Sequence, residues 1–180
     1  SIKRIKINQK IAEESGLKNL EFKLGDIAEM GLESQFDLIV SVDNLEHIEN
    51  DLEAVKVFYR ALRPGGKLVC HVPAHNRIWF FKEYRQNFDV DGHVRPGYFG
   101  NQLSELLTKG GLELESLNMT YGYLETVTNN ISYLITGAAM KRKHLYALAF
   151  PFLNVFAYMG RNQDPAGRGA GLLAVARKPV

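Results

Sequence analysis

The order of apolar and turn-forming segments predicts an α/β fold with a doubly wound, mostly parallel sheet. Two short apolar runs, residues 38–40 and 67–72, have the length and composition of buried strands. Between them, residues 51–62 carry apolar side chains at helical spacing, and the Arg-Pro-Gly-Gly sequence at 63–66 provides a helix stop and a turn. Strands that alternate with helices are typical of parallel sheets covered by helices.

The remaining elements are predicted from the same patterns. Residues 2–15 read as an amphipathic helix that stops at Gly16, and residues 20–24 alternate apolar with charged side chains, which predicts a strand. Residues 102–109 fit a short helix that ends at two glycines. Alternating leucines then predict a strand over 112–121.

Composition limits the classes of protein to which the chain can belong. With 180 residues and 46% hydrophobic content, we expect one domain over 1–180. A formal net charge of +2, with basic and acidic residues mixed, predicts no nucleic-acid partner. The single cysteine, Cys70, lies in an apolar run, which favours a buried thiol in a reducing cytoplasm, and no signal peptide is visible. The oligomeric state is left open.

A ligand is expected where the strand over 38–40 ends. Parallel sheets bind small molecules beyond the carboxyl ends of their strands. The residues at this end are Ser41, Val42, Asp43 and Asn44, which place a hydroxyl, a carboxylate and an amide together.

Five segments in this order resemble the class I S-adenosylmethionine-dependent methyltransferases, in particular the methyltransferase type 11/12 group. They are residues 24–26 (Leu-Gly-Asp), 36–41 (Phe-Asp-Leu-Ile-Val-Ser), 45–48 (Leu-Glu-His-Ile), 62–68 (Leu-Arg-Pro-Gly-Gly-Lys-Leu) and 171–179, which looks like the last strand of that family. The resemblance implies a Rossmann-like sheet, S-adenosylmethionine as the cofactor and a methyltransferase activity, and no metal is predicted.

The resemblance also implies roles for residues that match the family's motifs. The carboxylate of Asp26 would accept a hydrogen bond from the adenine amino group, and the amide of Ile27 would meet an adenine ring nitrogen. The backbone at Ser41 and Val42 would line the methionine end of the cofactor. His47 is interpreted as a packed, hydrogen-bonded structural residue.

The sequence departs from the family pattern near its beginning. Family members start with a strand that leads into a glycine-rich turn, and no such segment precedes Ser1. We therefore expect an N-terminally incomplete sheet and suspect that the chain is a fragment. The glycine-rich residues 167–171 precede a predicted strand, whereas a cofactor loop follows a strand and opens a helix, so we interpret them as an ordinary loop.

The segment after the third predicted strand is expected to bind the methyl acceptor. His93, Arg95 and Tyr98 resemble a His-x-Arg-Arg-Tyr element found in a subset of the family, with Pro96-Gly97 interrupting it. His93 is the first candidate for a catalytic base and Asp43 a weaker one, as is His75. Arg95 would bind an anionic acceptor, with Tyr98 and Trp79 beside it. An alternative of equal weight is a surface loop held by hydrogen bonds.

Residues 125–165 are predicted to form a helical insertion before the last strand. The run 145–160 has no charged side chain and contains Pro151, and it is too short to cross a bilayer. Two interpretations remain open. One is a lid over the acceptor pocket, and the other is a peripheral membrane contact through 141–160, where a basic segment would face anionic lipid.

These observations predict methyl transfer from S-adenosylmethionine to a small molecule at oxygen. The Ser-Val-Asp-Asn tip at 41–44 lacks the Asn/Asp-Pro-Pro-aromatic signature of enzymes that methylate nucleic-acid bases. One alternative is a non-catalytic domain that keeps the fold for binding. Another is a membrane-associated enzyme that methylates a lipid or a lipid-linked glycan.

Overall fold

The computed structural model describes residues 2–29, 31–77, 92–136, 142–165, 167 and 169–180. Contacts divide the chain into two compact units, Ser1–Leu32 and Glu33–Val180. The expectation of one domain over 1–180 stays a prediction.

The first unit contains helix α1, Ile2–Glu14, followed by a short 3₁₀ turn at Ile27–Glu29. The helix prediction over 2–15 is confirmed. The strand predicted over 20–24 is wrong, because these residues form no regular structure. Alternating side chains favour a strand only where a neighbouring strand supplies hydrogen bonds. Among the described residues, no strand pairs with 20–24.

The second unit contains a four-stranded sheet in the order β1-β2-β4-β3. The strands are β1 at Phe36–Val42, β2 at Leu62–Pro73, β3 at Glu113–Thr120 and β4 at Gly171–Arg177. β1 and β2 are parallel, and β4 is antiparallel to both of its neighbours. Three strands therefore point one way, as the mostly parallel Rossmann-like fold requires. The carboxyl ends of β1, β2 and β3 lie at the same end of the sheet as the amino end of β4.

Helix α2, Asp51–Ala61, follows β1 and precedes β2 in the chain, as predicted. The side-chain oxygen of Asn50 accepts a hydrogen bond from the Glu53 amide at 3.2 Å, which caps the first turn. Val55 and Phe58 are buried, and their spacing gives α2 an apolar face toward the core.

The turn predicted at 63–66 is instead the beginning of β2. Lys178, beyond the end of β4, holds these residues in extended pairing: the Gly65 amide donates to its carbonyl, and its amide donates to the Gly66 carbonyl. The helix still stops where expected, because Pro64 cannot continue it. Gly65 has a φ of +76°, which glycine adopts without strain.

β1 was predicted to be buried on both faces, and this prediction is wrong. Leu38, Val40 and Val42 are exposed by 55%, 60% and 58%, whereas Ser41 is buried. The physical reason is that an apolar run is buried on both faces only where other elements cover both of them, and the alternating residues 38, 40 and 42 share the face that stays exposed.

Three further helices complete the described chain: α3 at Gly100–Lys109, α4 at Tyr123–Thr136 and α5 at Lys143–Gly160. α4 and α5 pack against each other and precede β4, so the helical insertion before the last strand is confirmed. Gly167, Gly169 and Ala170 lie in a turn and loop that lead into β4 and open no helix. Among the helices that the structure describes, none is long and apolar enough to cross a membrane.

Candidate active site

A cavity of about 250 Å³ lies at the end of the sheet where β1, β2 and β3 finish. The polar side chains that line it include Asp43, Glu46, His47, His71, His93 and Tyr121. Parallel sheets bind ligands beyond the carboxyl ends of their strands, which is where this cavity lies. The ligand position predicted at the end of β1 therefore coincides with a cavity.

Asp43 and His71 form the most completely defined pair in this cavity. The register places Val42 beside His71, and the Asp43 amide donates to the His71 carbonyl at 3.0 Å. Asp43 Oδ1 then lies 2.9 Å from His71 Nδ1. Because an ionised carboxylate only accepts hydrogen bonds, this contact places the imidazole proton on Nδ1.

Thr120, at the end of β3, contacts the other ring nitrogen of His71. Its Oγ1 lies 3.0 Å from Nε2, which accepts a hydrogen bond from the threonine hydroxyl in this tautomer. The ring of Tyr121 meets the His71 ring edge to face at a centroid distance of 5.7 Å. His71 is thus fixed by groups from two other strand ends.

Glu46 lies in the 3₁₀ turn Leu45–His47 that follows β1, and its residue exposure is 0%. Neither carboxylate oxygen makes a hydrogen bond within the part of the chain that the structure describes. Burial raises the pKa of Glu46, with the nearby Asp43 adding to the rise, while its own backbone amide and the two histidines at 47 and 71 offset it in part.

His47 and His93 lie edge to face, with ring centroids 4.3 Å apart. His47 Nδ1 is 2.9 Å from the Gly92 carbonyl oxygen, in agreement with the predicted hydrogen-bonded environment. His93 Nδ1 is buried and has no partner among the described residues. Burial lowers the pKa of His93, and electrostatic interaction with the neighbouring His47 and Arg77 lowers it further, with Asp43 opposing the change.

The other predicted acceptor-binding residues lie at a different cavity, of about 540 Å³, lined by parts of α2, α3 and residues 95–99. His75, Arg95 and Tyr98 line this cavity and do not line the one that contains Asp43 and His93. The structure therefore divides the predicted set between two cavities. Trp79 lies outside the described residues.

Arg95 donates several hydrogen bonds to other groups of the protein. Nη1 donates to the carbonyls of Leu45 and Ile48 at 2.8 Å, and Nη2 donates to the Glu49 carbonyl at 3.0 Å. These bonds tie the 95–98 segment to the turn that follows β1. An arginine with such contacts holds backbone in place, and its predicted role in binding an anionic acceptor stays a prediction.

Tyr98 and Asp51 complete this cluster. Arg95 Nη1 lies 3.1 Å from Asp51 Oδ2 and donates to the Tyr98 hydroxyl at 2.8 Å. The Tyr98 hydroxyl in turn donates to Asp51 Oδ2 at 2.9 Å. Burial and the Asp51 carboxylate raise the pKa of Tyr98, so its hydroxyl stays protonated at neutral pH.

The predicted cofactor residues fall in both units. Ser41 is buried, and its Oγ has no hydrogen-bond partner in the described structure, while Val42 is exposed beside it. An orphaned hydroxyl at the carboxyl end of a strand fits a ligand that offers polar groups there. Asp26 and Ile27 belong to the first unit, and their adenine contacts stay predictions.

Sequence reasoning missed His71 and Glu46. His71 was read as part of a buried apolar strand, although its position two residues before Pro73, at the strand's carboxyl end, was an available signal. Glu46 was noted only as part of the Leu-Glu-His-Ile segment at 45–48. The loop that contains Val94 lies beside it, because the Val94 amide donates to the Glu46 carbonyl at 2.9 Å, and no local pattern reveals that contact.

Comparison with known families identifies the class to which this fold and site belong. A family profile described as a methyltransferase domain matches residues 1–117, which is more than half of the chain. The chain belongs to the methyltransferase domain family, and the resemblance found in the sequence is confirmed.

Solved structures share the fold over nearly the whole chain. A protein assigned as a sarcosine dimethylglycine methyltransferase from Galdieria sulphuraria superimposes with a TM-score of 0.67 at 17% identity, covering 99% of this chain and 67% of that one. The [4+2]-cyclase SpnF matches with a TM-score of 0.61 at 19% identity, covering 98% and 62%. This chain therefore spans about two thirds of their length.

A third similar structure contains a cofactor. Phosphoethanolamine N-methyltransferase 2 from Haemonchus contortus, in complex with S-adenosyl-L-methionine, matches with a TM-score of 0.54 at 19% identity, over 86% of this chain and 36% of that one. The family profile thus defines the class of this chain as a methyltransferase domain, and S-adenosyl-L-methionine is the ligand bound in that similar structure.

Proposed function

We propose that this domain methylates an oxygen atom of a small molecule at the cavity beyond the carboxyl ends of β1 and β2. The observation that carries the proposal is the contact between Asp43 and His71. Methylation of a hydroxyl group needs a proton acceptor. An imidazole that a carboxylate holds in one tautomer has a free ring nitrogen that can accept the proton. The similar structures include a [4+2]-cyclase, so the fold alone does not define the reaction.

We infer a task for each group from these contacts. Asp43 holds the proton of His71 on Nδ1, which leaves the lone pair of Nε2 to accept the proton of the acceptor hydroxyl through Thr120 Oγ1. Asp43 then stabilises the positive charge on the imidazole. When bound, S-adenosylmethionine would supply the methyl group from its sulfonium, and the pair of Asp43 and His71 would remove the proton of the acceptor hydroxyl. Ser41 and Val42 would line the methionine end of the cofactor.

The test is the formation of S-adenosylhomocysteine with paired small hydroxyl and amine acceptors. We expect turnover with a hydroxyl acceptor, and we expect Asp43→Asn to lower it by about 100-fold, the scale of general-base catalysis, with cofactor affinity unchanged. His144→Asn, which alters an exposed histidine on α5, is the matched control. Turnover restricted to amines would contradict methylation at oxygen, and cofactor binding without turnover on any acceptor would favour the non-catalytic alternative.

The adenine contact of Asp26 is a separate prediction. If its carboxylate accepts the adenine amino hydrogen, Asp26→Ala should weaken cofactor binding by about 1–3 kcal/mol, the range for losing a hydrogen bond to a charged group. Calorimetric titration with S-adenosylmethionine measures this loss, with Glu21→Ala as the control in the same unit. An unchanged dissociation constant would remove Asp26 from the cofactor site.

His93, Arg95, Tyr98 and Trp79 keep their predicted roles as hypotheses. His93 lines the same cavity as Asp43 and His71, so the turnover assay with His93→Ala tests whether it takes part. Arg95 and Tyr98 line the larger cavity, and there an acceptor with an anionic group would have to compete with the bonds to Asp51.

We also propose that α5 makes a peripheral contact with anionic lipid. Its exposed apolar side chains Leu145, Leu148, Phe152, Val155, Phe156 and Met159 recur at helical spacing along one face. The opposite face packs on α4. No acidic residue lies within α5, and Arg142 precedes it. An apolar stripe with a basic flank is the composition of interfacial helices, and co-sedimentation with anionic vesicles tests the contact.

A further inference from the structure

We propose that Glu46, His47 and His93 form a binding site for a divalent transition-metal ion such as Zn²⁺. One ligand atom from each residue lies within 4.8 Å of the corresponding atoms of the other two. Two imidazoles and a carboxylate are a ligand set that suits Zn²⁺ and its first-row neighbours. The sequence alone predicted no metal, because His93 lies far along the chain from the other two residues.

The buried carboxylate of Glu46 is the strongest independent evidence. The residue is fully buried, it lines the cavity, and neither oxygen has a hydrogen-bond partner in the described ranges. Burial of a carboxylate without partners is costly, and proteins compensate for it with a counter-charge, a proton or a metal ion. A cation beside Glu46 would use both oxygens that the surrounding protein leaves without a bond.

His47 is oriented as a metal-binding histidine usually is. The Gly92 carbonyl oxygen can only accept, so its 2.9 Å contact places the ring proton on Nδ1 and leaves the lone pair of Nε2 available. Histidine ligands of metals commonly donate their other ring N–H to a backbone carbonyl, because this fixes the tautomer and the ring orientation.

His93 supplies the third ligand. Its Nδ1 is buried and has no partner within the described structure, although it lies beside polar groups. The hydrogen bond from the Val94 amide to the Glu46 carbonyl, 2.9 Å long, ties the loop of His93 to the turn of Glu46 and His47. The two segments that carry the ligands are therefore joined by backbone as well as by the packed rings.

Three protein ligands leave at least one coordination position open toward the cavity. Asp43 and His71 line that cavity, and so does Arg77, whose positive charge opposes any cation bound there and is offset by the carboxylates of Glu46 and Asp43. A role for the ion rests on the proposed function: an acceptor oxygen bound to the metal would lose its proton more easily, and the pair of Asp43 and His71 would take that proton. Metal binding itself requires neither the cofactor nor an acceptor.

The experiment is a metal titration of the full chain without an affinity tag, after treatment with a chelator and in the absence of S-adenosylmethionine. We expect saturable binding of one Zn²⁺ per chain by calorimetry, and a visible absorption spectrum of bound Co²⁺ that reports nitrogen ligands. Mg²⁺ should bind far more weakly, because it prefers all-oxygen sites. Absence of saturable Zn²⁺ binding would overturn the proposal.

Variants test whether the three residues form the site. Glu46→Gln keeps the shape of the side chain and should weaken Zn²⁺ binding by about 100-fold, as should His93→Asn. His75→Asn, a change of another histidine outside the cluster, should leave affinity unchanged. Circular dichroism identifies any variant that fails to fold. If one of the two variants is unfolded, the Zn²⁺ affinity of the other tests the assignment. Undiminished Zn²⁺ affinity in a folded Glu46→Gln or His93→Asn variant would contradict the assignment.

The two proposals fail in different ways. Turnover that continues in a chain that binds no Zn²⁺ would overturn the metal site and leave methyl transfer intact. Zn²⁺ binding by Glu46, His47 and His93 in a chain without turnover would support the metal site and count against the proposed reaction.

Discussion

Gly171 shows how closely the candidate active site is packed at the level of single residues. This glycine lies in β4 opposite Thr120, next to the hydrogen bond between His71 and Thr120. A Cβ atom at this position would overlap both His71 Nε2 and Thr120 Oγ1. Glycine is therefore required here for space, and its φ is not in the left-handed region.

We expect Gly171→Ala to destabilise the protein by about 1–3 kcal/mol, the range for overpacking, and to lower turnover by opening the His71–Thr120 contact. Chemical denaturation measures the stability, and the methyl-transfer assay measures the turnover. Thr120→Val is the matched control, because it removes the same hydrogen bond without adding volume. A Gly171→Ala variant as stable and active as the wild type would show that the two side chains can separate freely.

The candidate site could be predicted only in part from the sequence. Asp43 was found because polar residues at the end of an apolar strand are a local signal. Its partner His71 is 28 residues away, and a single histidine inside an apolar run does not reveal that β2 lies beside β1. Glu46 was missed for a similar reason, since the loop that meets it at Val94 lies 48 residues further along the chain.

At the scale of elements, patterns that a segment satisfies by itself were the reliable ones. α2 has its own cap at Asn50 and its own apolar face, so its position followed from residues close together in the chain. Residues 20–24 have the alternation of a strand, but a strand also needs a partner. β1 was identified correctly, whereas its exposure depends on which elements cover its two faces.

The exposed face of α5 leads to a prediction about lipid. Replacing Leu148 and Phe152 by serine removes two of its most exposed apolar side chains and should lower binding to anionic vesicles by about 10-fold or more, because each buried apolar side chain contributes about 1.5–3 kcal/mol. Co-sedimentation measures the bound fraction. The control is the same double change at Leu17 and Leu20 in the first unit, which lie outside α5. Equal binding of both variants would exclude α5 as the contact.

For the whole molecule, nearness in the chain was a poor guide to nearness at the site. His93, Arg95 and Tyr98 lie within six positions, yet the structure places His93 with Asp43 and His71 and the other two at the larger cavity. Arg95 turns back to donate hydrogen bonds to the Ile48 and Glu49 carbonyls in the loop before α2. The fold class could be predicted because it follows from the order of elements, whereas the site depends on which loops meet.

The buried thiol of Cys70 couples the stability of the whole fold to alkaline pH. Cys70 is fully buried in β2, as predicted, and burial raises its pKa from an ordinary value of 9.0 to about 12, with the negative charges of Glu46 and Asp43 adding to the effect. The folded protein therefore keeps the proton between pH 9 and 12, while the unfolded chain loses it. The contribution of Cys70 to stability is present below pH 9 and is lost as the pH rises toward 12.

We expect the free energy of unfolding to fall with pH in this window, with Cys70 contributing up to about 1.4 kcal/mol per pH unit. Denaturation of the wild type and of Cys70→Ala at several pH values measures the contribution. Tyr98 and Tyr121 also have raised pKa values, but both are present in the two proteins, so the difference in slope isolates the thiol. Equal slopes would mean that the thiol ionises as readily in the folded protein as in the unfolded chain, and the close packing of β2 between β1 and β4 would then be wrong.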